Sequence, residues 1–280
     1  MAHSRAADPL EQALSAAIAR TIDDGRYAAL YRRWFGEDPG TAQHPLPPIG
    51  GVTSPAVSEA GGSVLETVLQ RGSLRVGYAL MGPPFSFEAQ DVTEDVTVTG
   101  WDLELGQLLT AALSEAYGQP ITAEAVQLPA APFPARLFDE LDAGTVDIIL
   151  SDLAVTEERE KRVDFTTPYL MVTFGLLCGP DFQPQTLADV DRGDVTVVVL
   201  RHAFLNELAD RHLPNAARQF VPDPLDMVPQ LLNGSADAVL LPIASIQAYL
   251  ELAQAEDRAL HRANFTIGPQ ATRAIALRQR

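Results

Sequence analysis

The sequence contains one cysteine, Cys178, and one lysine, Lys161, in 280 residues. A single cysteine excludes an intramolecular disulfide and says nothing about redox compartment. It ends the apolar run Phe174-Gly175-Leu176-Leu177-Cys178, so a buried, inert thiol is expected rather than a nucleophile. The other basic residues are arginines, and 37 acidic residues against 20 basic ones give a formal net charge of −17. Nucleic acid and anionic membrane would repel that surface, so neither is expected as a partner. No apolar run approaches the roughly 18 residues that span a bilayer. No basic start followed by an unbroken apolar stretch marks a secretory signal. The five histidines are dispersed without metal-ligand spacing, and Gly50-Gly51 and Gly61-Gly62 lack the Lys-Ser/Thr of a phosphate loop. Neither a metal nor a cofactor is expected.

What is present begins with a strong helix start. Asp8 can cap, Pro9 suits a first helical position, and Glu11 completes a capping-box-like pattern before an apolar face of Leu10, Leu14, Ala17 and Ile18. Asp23-Asp24-Gly25 stops it. A second short helix places Tyr27, Leu30, Tyr31 and Trp34 on one stripe, with Gly36 as terminator. Residues 37–62 hold five prolines and five glycines without periodicity, the composition of a linker. A flexible chain of that length spans roughly 28 Å, enough to cross one face of a domain.

From Ser63 strands and helices alternate. Strands are expected at 74–78, 121–127, 147–150, 195–200 and 237–241, with helices at 102–117, 134–142, 203–212, 224–232 and 243–256. Buried apolar strands alternating with helices imply an α/β protein with mostly parallel sheets. One stretch echoes another: Leu141-Asp-Ala-Gly144-Thr-Val-Asp147-Ile-Ile-Leu150 against Leu231-Leu-Asn-Gly234-Ser-Ala-Asp237-Ala-Val-Leu240. Both read as helix end, positive-φ glycine, turn and buried strand, which favours two similar lobes over coincidence.

The most informative segment runs from Asp147 to Tyr169: Asp147-Ile-Ile-Leu-Ser151-Asp152-Leu-Ala154-Val-Thr156-Glu-Glu-Arg159, then Val163-Asp164-Phe165-Thr-Thr-Pro168-Tyr169. It resembles the signature of the extracellular solute-binding proteins of family 3, the polar amino-acid binders of ABC importers. Arg71-Gly-Ser-Leu-Arg-Val-Gly77 with Pro84-Phe85, then Gly100-Trp-Asp102-Leu-Glu104-Leu, then Gly234 to Leu240 agree in order. The resemblance implies a two-lobed type II periplasmic-binding-protein fold with mixed, mostly parallel sheets and a ligand cleft between the lobes. It also identifies Asp24-Gly25-Arg-Tyr27-Ala-Ala-Leu30-Tyr-Arg-Arg33-Trp34-Phe35-Gly36 as the family's ending, placed first. The chain thus reads as circularly permuted, with excision from a tandem array as the rival account. Permuted helices at 1–36 and a linker at 37–62 would precede a first lobe at 63–170. A second lobe at 171–265 and a return to the first at 266–280 would follow.

By resemblance, Arg159 grips a ligand carboxylate through its two-point fork. Ser151, Asp152, Ala154 and Thr156 would supply contacts from the same segment, with Asp152 free to take an ammonium group or to cap the helix after Thr156. Phe85 and Phe133 would face the ligand, although a core role for Phe133 stays open. In the second lobe His202-Ala203-Phe204 replaces a Gly-Ser/Thr-Ser/Thr helix start, and Arg201 and His202 either favour an acidic ligand or are merely solvated. Pro242 stands where many members hold an aspartate for the α-ammonium, and Gly82 where an aromatic is usual. These departures weaken an amino-acid assignment: either the ligand lacks an α-amino group, or Asp152 replaces the lost acid. The expected function is capture of a small carboxylate-bearing molecule, an amino acid or a related organic acid, by a monomeric periplasmic or extracellular protein serving an ABC importer or a sensor, without catalysis. The alternatives are a cyclohexadienyl or arogenate dehydratase-like enzyme, whose catalytic glutamate has no counterpart in Leu240-Leu-Pro-Ile-Ala-Ser245, and a degenerate lobe pair used for protein interaction.

Overall fold

The computed structural model describes residues 8–40, 62–90, 96–255 and 259–279; most of the expected linker at 37–62 lies outside the described residues. Along the chain come α1 (Pro9–Asp23), α2 (Arg26–Phe35), α3 (Val64–Arg71), β1 (Ser73–Tyr78), β2 (Phe87–Gln90), β3 (Val96–Thr99), α4 (Trp101–Tyr117), β4 (Thr122–Gln127), α5 (Ala135–Ala143), β5 (Ile148–Ile149), α6 (Glu157–Glu160) and β6 (Val163–Phe165). There follow β7 (Leu170–Cys178), α7 (Leu187–Val190), β8 (Thr196–Leu200), α8 (Ala203–His212), β9 (Ala217–Val221), α9 (Met227–Leu232), β10 (Ala238–Pro242), α10 (Ile243–Ala255), β11 (His261–Arg262), β12 (Ile267–Arg273) and β13 (Ala276–Arg278).

Two mixed sheets form two lobes. The first has the order β4-β1-β5-β13-β6, with β1 parallel to β4 and β5 and β13 antiparallel to its neighbours. The second has the order β11-β7-β10-β8-β9, with β12 also on β7. The core strands β8 and β10 are parallel, and the long β7 runs against β10. Cys178, at the end of β7, is buried, and burial pushes its thiol up to about 12, in keeping with an inert side chain.

The two lobes repeat one device. Gly144 and Gly234 take φ of 74° and 76° as their helices end. Such a backbone would strain any residue bearing a Cβ. Thr145 N then donates to Glu140 O at 3.1 Å, and Ser235 N to Gln230 O at 3.0 Å. The Asp147 carboxylate accepts from Arg75 N at 2.8 Å and the Asp237 carboxylate from Thr196 N at 2.7 Å, each tying the incoming strand to its parallel neighbour. The sequence echo is therefore a structural one.

The opening helices belong to the first lobe. Asp8 caps α1 by accepting from Leu10 N at 2.7 Å. Leu10, Leu14 and Ile18 are fully buried, each contributing on the order of 2 kcal/mol. On α2, the rings of Tyr27 and Tyr31 meet Trp101 of α4 edge-on at 5.5 and 5.9 Å. The Tyr27 hydroxyl donates to Tyr169 O at 2.6 Å, across 142 positions of sequence. Asp8, Gly62-Ser63 and Leu277-Arg278 line one surface cleft, so the start of α1, the approach to α3 and the end of β13 converge. That convergence is the geometry a permuted chain requires.

Two extended segments carry the chain between lobes. Thr166–Tyr169 leads from β6 to β7, and Ala274–Ile275 leads from β12 back to β13. They are laced together by Thr166 N to Ile275 O at 3.0 Å and Tyr169 N to Arg273 O at 2.8 Å. The segment from residue 266 still pairs with β7 of the second sheet until Arg273; Ala276–Arg278 completes the first sheet.

Candidate ligand-binding site

A pocket lies where the lobes face each other, with about 500 Å³ of empty space between its lining atoms, mouth included. The first lobe supplies Met81, Phe133, Asp152, Ala154 and Arg159. The second supplies chiefly Phe174, Leu200, His202, Phe204, Met227, Leu241 and Pro242, and the hinge strand β12 supplies Arg273. The lobes touch across it: the Phe133 and His202 rings are 5.7 Å apart.

Arg159 owes its position to the short helix α6. Thr156 caps that helix, its hydroxyl accepting from Arg159 N at 3.3 Å. The side chain then turns back so that Nη1 donates to Ala154 O at 2.6 Å, and the guanidinium lies 5.8 Å from the Phe133 ring centroid. It is only 7% exposed, and among the described residues no carboxylate pairs with it. Burial, then repulsion from Arg273, press its pKa down to about 9, still a cation at neutral pH. A buried guanidinium with donors to spare is a receptor for a planar anion.

Arg273 is paired differently, although its buried Nη1 has no hydrogen-bond partner among the described residues. Its Nε donates to the Asp152 carboxylate at 2.5 Å, and its face lies 5.6 Å from the Phe174 ring centroid. Asp152 holds a left-handed backbone, φ 44°, unusual outside glycine and functionally suggestive. Burial raises its pKa, and Arg273 opposes that rise. Behind the pocket Asp102 is fully buried at the start of α4, with no well-formed hydrogen bond to either carboxyl oxygen. Burial, then the Asp152 charge, hold its pKa well above the carboxylate range.

His202 opens α8 and caps it, Nδ1 accepting from Leu205 N at 3.3 Å. That bond leaves the proton on Nε2 as a donor. Burial and the two arginines hold the pKa of His202 well below 6.5, so the ring is neutral. Its face stacks on Phe204 at 6.3 Å, and Phe204 in turn meets Phe174 at 5.6 Å. The start of α8 is thus aromatic, with a neutral imidazole donor where the family pattern places hydroxyls.

Seven of the expected residues line the pocket: Phe133, Asp152, Ala154, Arg159, His202, Phe204 and Pro242. Four do not. Ser151 is fully buried, its hydroxyl accepting from Ala79 N at 3.0 Å, so it fastens β1 to the loop after β5. Thr156 is engaged as the cap of α6. Phe85 packs in the first-lobe core, 6.3 Å from the Phe35 ring. Arg201 is exposed and lies over Phe220 at 5.8 Å, because adjacent residues at a strand end point oppositely. Ala203 contributes its backbone to the first turn of α8; its side chain lies outside the described residues. Asp152 neither caps α6 nor stands free for an ammonium, since Arg273 holds it. Arg273 itself escaped the sequence reading, although it is a lone charge between Ala271 and the run Ala274-Ile275-Ala276-Leu277. At Gly82, φ 84°, a Cβ would stand 2.5 Å from the Tyr249 hydroxyl, so α10 reaches over the place where an aromatic was expected.

Residues 74–183 match the sequence model of the bacterial extracellular solute-binding proteins, family 3. The chain resembles that family over this stretch, from β1 to just past β7. Its members are periplasmic or extracellular two-lobed proteins whose usual setting is ABC transport. Among similar proteins, cyclohexadienyl dehydratase from Pseudomonas aeruginosa is 29% identical over 195 residues, which cover 69% of this chain and 67% of the enzyme. The L-cystine-binding protein TcyJ from Escherichia coli is 29% identical over 122 residues, 43% of this chain and 40% of that protein. The crystal structure of an ancestral amino acid-binding protein, a precursor of cyclohexadienyl dehydratase, superposes with a TM-score of 0.62 at 25% identity, covering 78% of this chain and 86% of that one. Among the described residues no helix is long and apolar enough to cross a membrane, and no cluster of potential metal ligands occurs.

Proposed function

We propose that this protein captures a small carboxylate-bearing molecule between its lobes, for an importer or a sensor, and does not transform it. The observation that carries this reading is Arg159, a buried guanidinium with a carbonyl partner, an aromatic face and no carboxylate. Its neighbours leave room for a planar anion, and the ring of apolar side chains would shield the pair from water. The two-segment hinge suits lobe closure around a ligand.

Likeness to the dehydratase keeps a second reading in view. General-acid chemistry needs a group able to give up a proton at the substrate, and resemblance to the dehydratase implies a glutamate just after β10 for that role. Asp152 is the acid among the pocket-lining residues, and Arg273 holds it; the segment Leu240–Ser245 adds none. That arrangement supports binding over dehydration. Thermal-shift and calorimetric titration with amino acids and carboxylic acids tests the capture reading, with saturable stabilisation expected and loss of binding in Arg159→Met. Release of phenylpyruvate from prephenate would favour the enzyme instead.

A further inference from the structure

Taking the capture reading as its basis, we propose that the ligand is an apolar monocarboxylate lacking an α-ammonium group, rather than an amino acid zwitterion. Three charged side chains line the pocket, the guanidiniums of Arg159 and Arg273 and the carboxylate of Asp152. Asp152 and Arg273 neutralise each other through the 2.5 Å contact, which leaves the charge of Arg159 without a counter-ion. A monoanion balances the site. A zwitterion carries no net charge and would leave the surplus in place.

The zwitterion also needs an acceptor for its ammonium. Among the described residues lining the pocket, Asp152 is the single acid, and Ser245 offers the single hydroxyl. The second-lobe wall facing Arg159 is Phe204, Leu241 and Pro242, and the imidazole of His202 presents a proton rather than a lone pair, since its Nδ1 is taken by Leu205 N. An ammonium placed there would lose its hydration without compensation. The apolar wall instead suits a branched aliphatic or aromatic body.

The test uses matched pairs that differ only in the amino group: leucine against 4-methylpentanoate, and phenylalanine against 3-phenylpropanoate. Calorimetric titration of the full chain at neutral pH is expected to show the deaminated acid of at least one pair binding tighter than its amino acid by about tenfold or more, as befits a buried charged group left unpaired. Tighter or equal binding of the amino acids would overturn this proposal and leave the capture reading standing. No binding of any of the four would overturn this proposal, and no stabilisation across the wider screen of amino acids and carboxylic acids would overturn the capture reading. Pro242→Asp supplies an acceptor on the second-lobe wall and is expected to move the affinity ratio toward the amino acid by about tenfold. A ratio unmoved by that substitution would contradict the charge argument.

Discussion

The two pocket arginines should respond oppositely to the same substitution. Methionine matches the length of the arginine stem and suits an apolar wall. In Arg159→Met a cation that has lost its hydration, and gained one carbonyl partner at 2.6 Å, is removed together with its desolvation cost. Without ligand the variant should be as stable as the parent or more so, by about 1–2 kcal/mol, a gain typical of relieving a strained binding site. In Arg273→Met the cation removed is the partner of Asp152, which is only 9% exposed. Breaking a buried pair leaves an uncompensated charge and costs about 3–5 kcal/mol. For a chain of this size that lowers the melting temperature by roughly 10 °C. Urea and thermal denaturation of the two ligand-free variants, side by side with the parent, make the comparison. Equal destabilisation by both substitutions would refute the assignment of Arg159 as the unpaired cation.

Other consequences follow from the fold. A chain in which residue 279 is joined to Asp8 and new termini are opened within 41–61 should fold with unchanged circular dichroism and ligand affinity, since Asp8, Ser63 and Arg278 line one cleft; failure to fold would count against the permuted reading. Tyr27→Phe removes the 2.6 Å bond to Tyr169 O and should cost about 1–2 kcal/mol in chemical denaturation; no loss would show that the opening helices do not brace the hinge. Asp102 is held protonated in the folded state above its ordinary 3.8, so the folded protein binds more protons than the unfolded one. Stability from this group is present at low pH and falls as pH rises from about 4, by up to roughly 1.4 kcal/mol per unit. Asp102→Asn should therefore gain on the parent as pH rises from 5 to 7 in urea titrations, and a constant difference would dismiss the buried-acid account.

Much of this architecture could be read from the chain because its local signals agree with its packing. The cap at Asp8, the terminating glycines and the repeated Gly-to-Asp turn each specify local backbone, and the fold uses them unaltered. The tail-like helix at 26–35 could be assigned to the first lobe through its resemblance to the family's ending, and its aromatic stripe finds its partner surface in Trp101. The site was legible where one short segment builds it, around Asp152 to Arg159. It was not where side-chain direction decides. Ser151 and Asp152 are neighbours, yet one fastens the sheet and the other faces the cleft; Arg201 and His202 divide in the same way. Arg273 lies 121 positions from the carboxylate it holds, on a strand whose register shifts between Ile267 and Ala271, so periodicity could not aim it. Tyr249 meets Gly82 only through the closeness of the two lobes, which no local pattern encodes.

The central claim is that Arg159 receives a ligand's carboxylate inside the interlobe cleft. A crystal structure of the protein with the tightest-binding acid from the paired titrations tests it most directly. The account predicts both carboxylate oxygens at about 3 Å from the Arg159 guanidinium, with the ligand's body between Phe133 and Phe204 and no amino group against Asp152. A ligand seated away from Arg159, or an ammonium bound to Asp152 with Arg273 displaced, would contradict it.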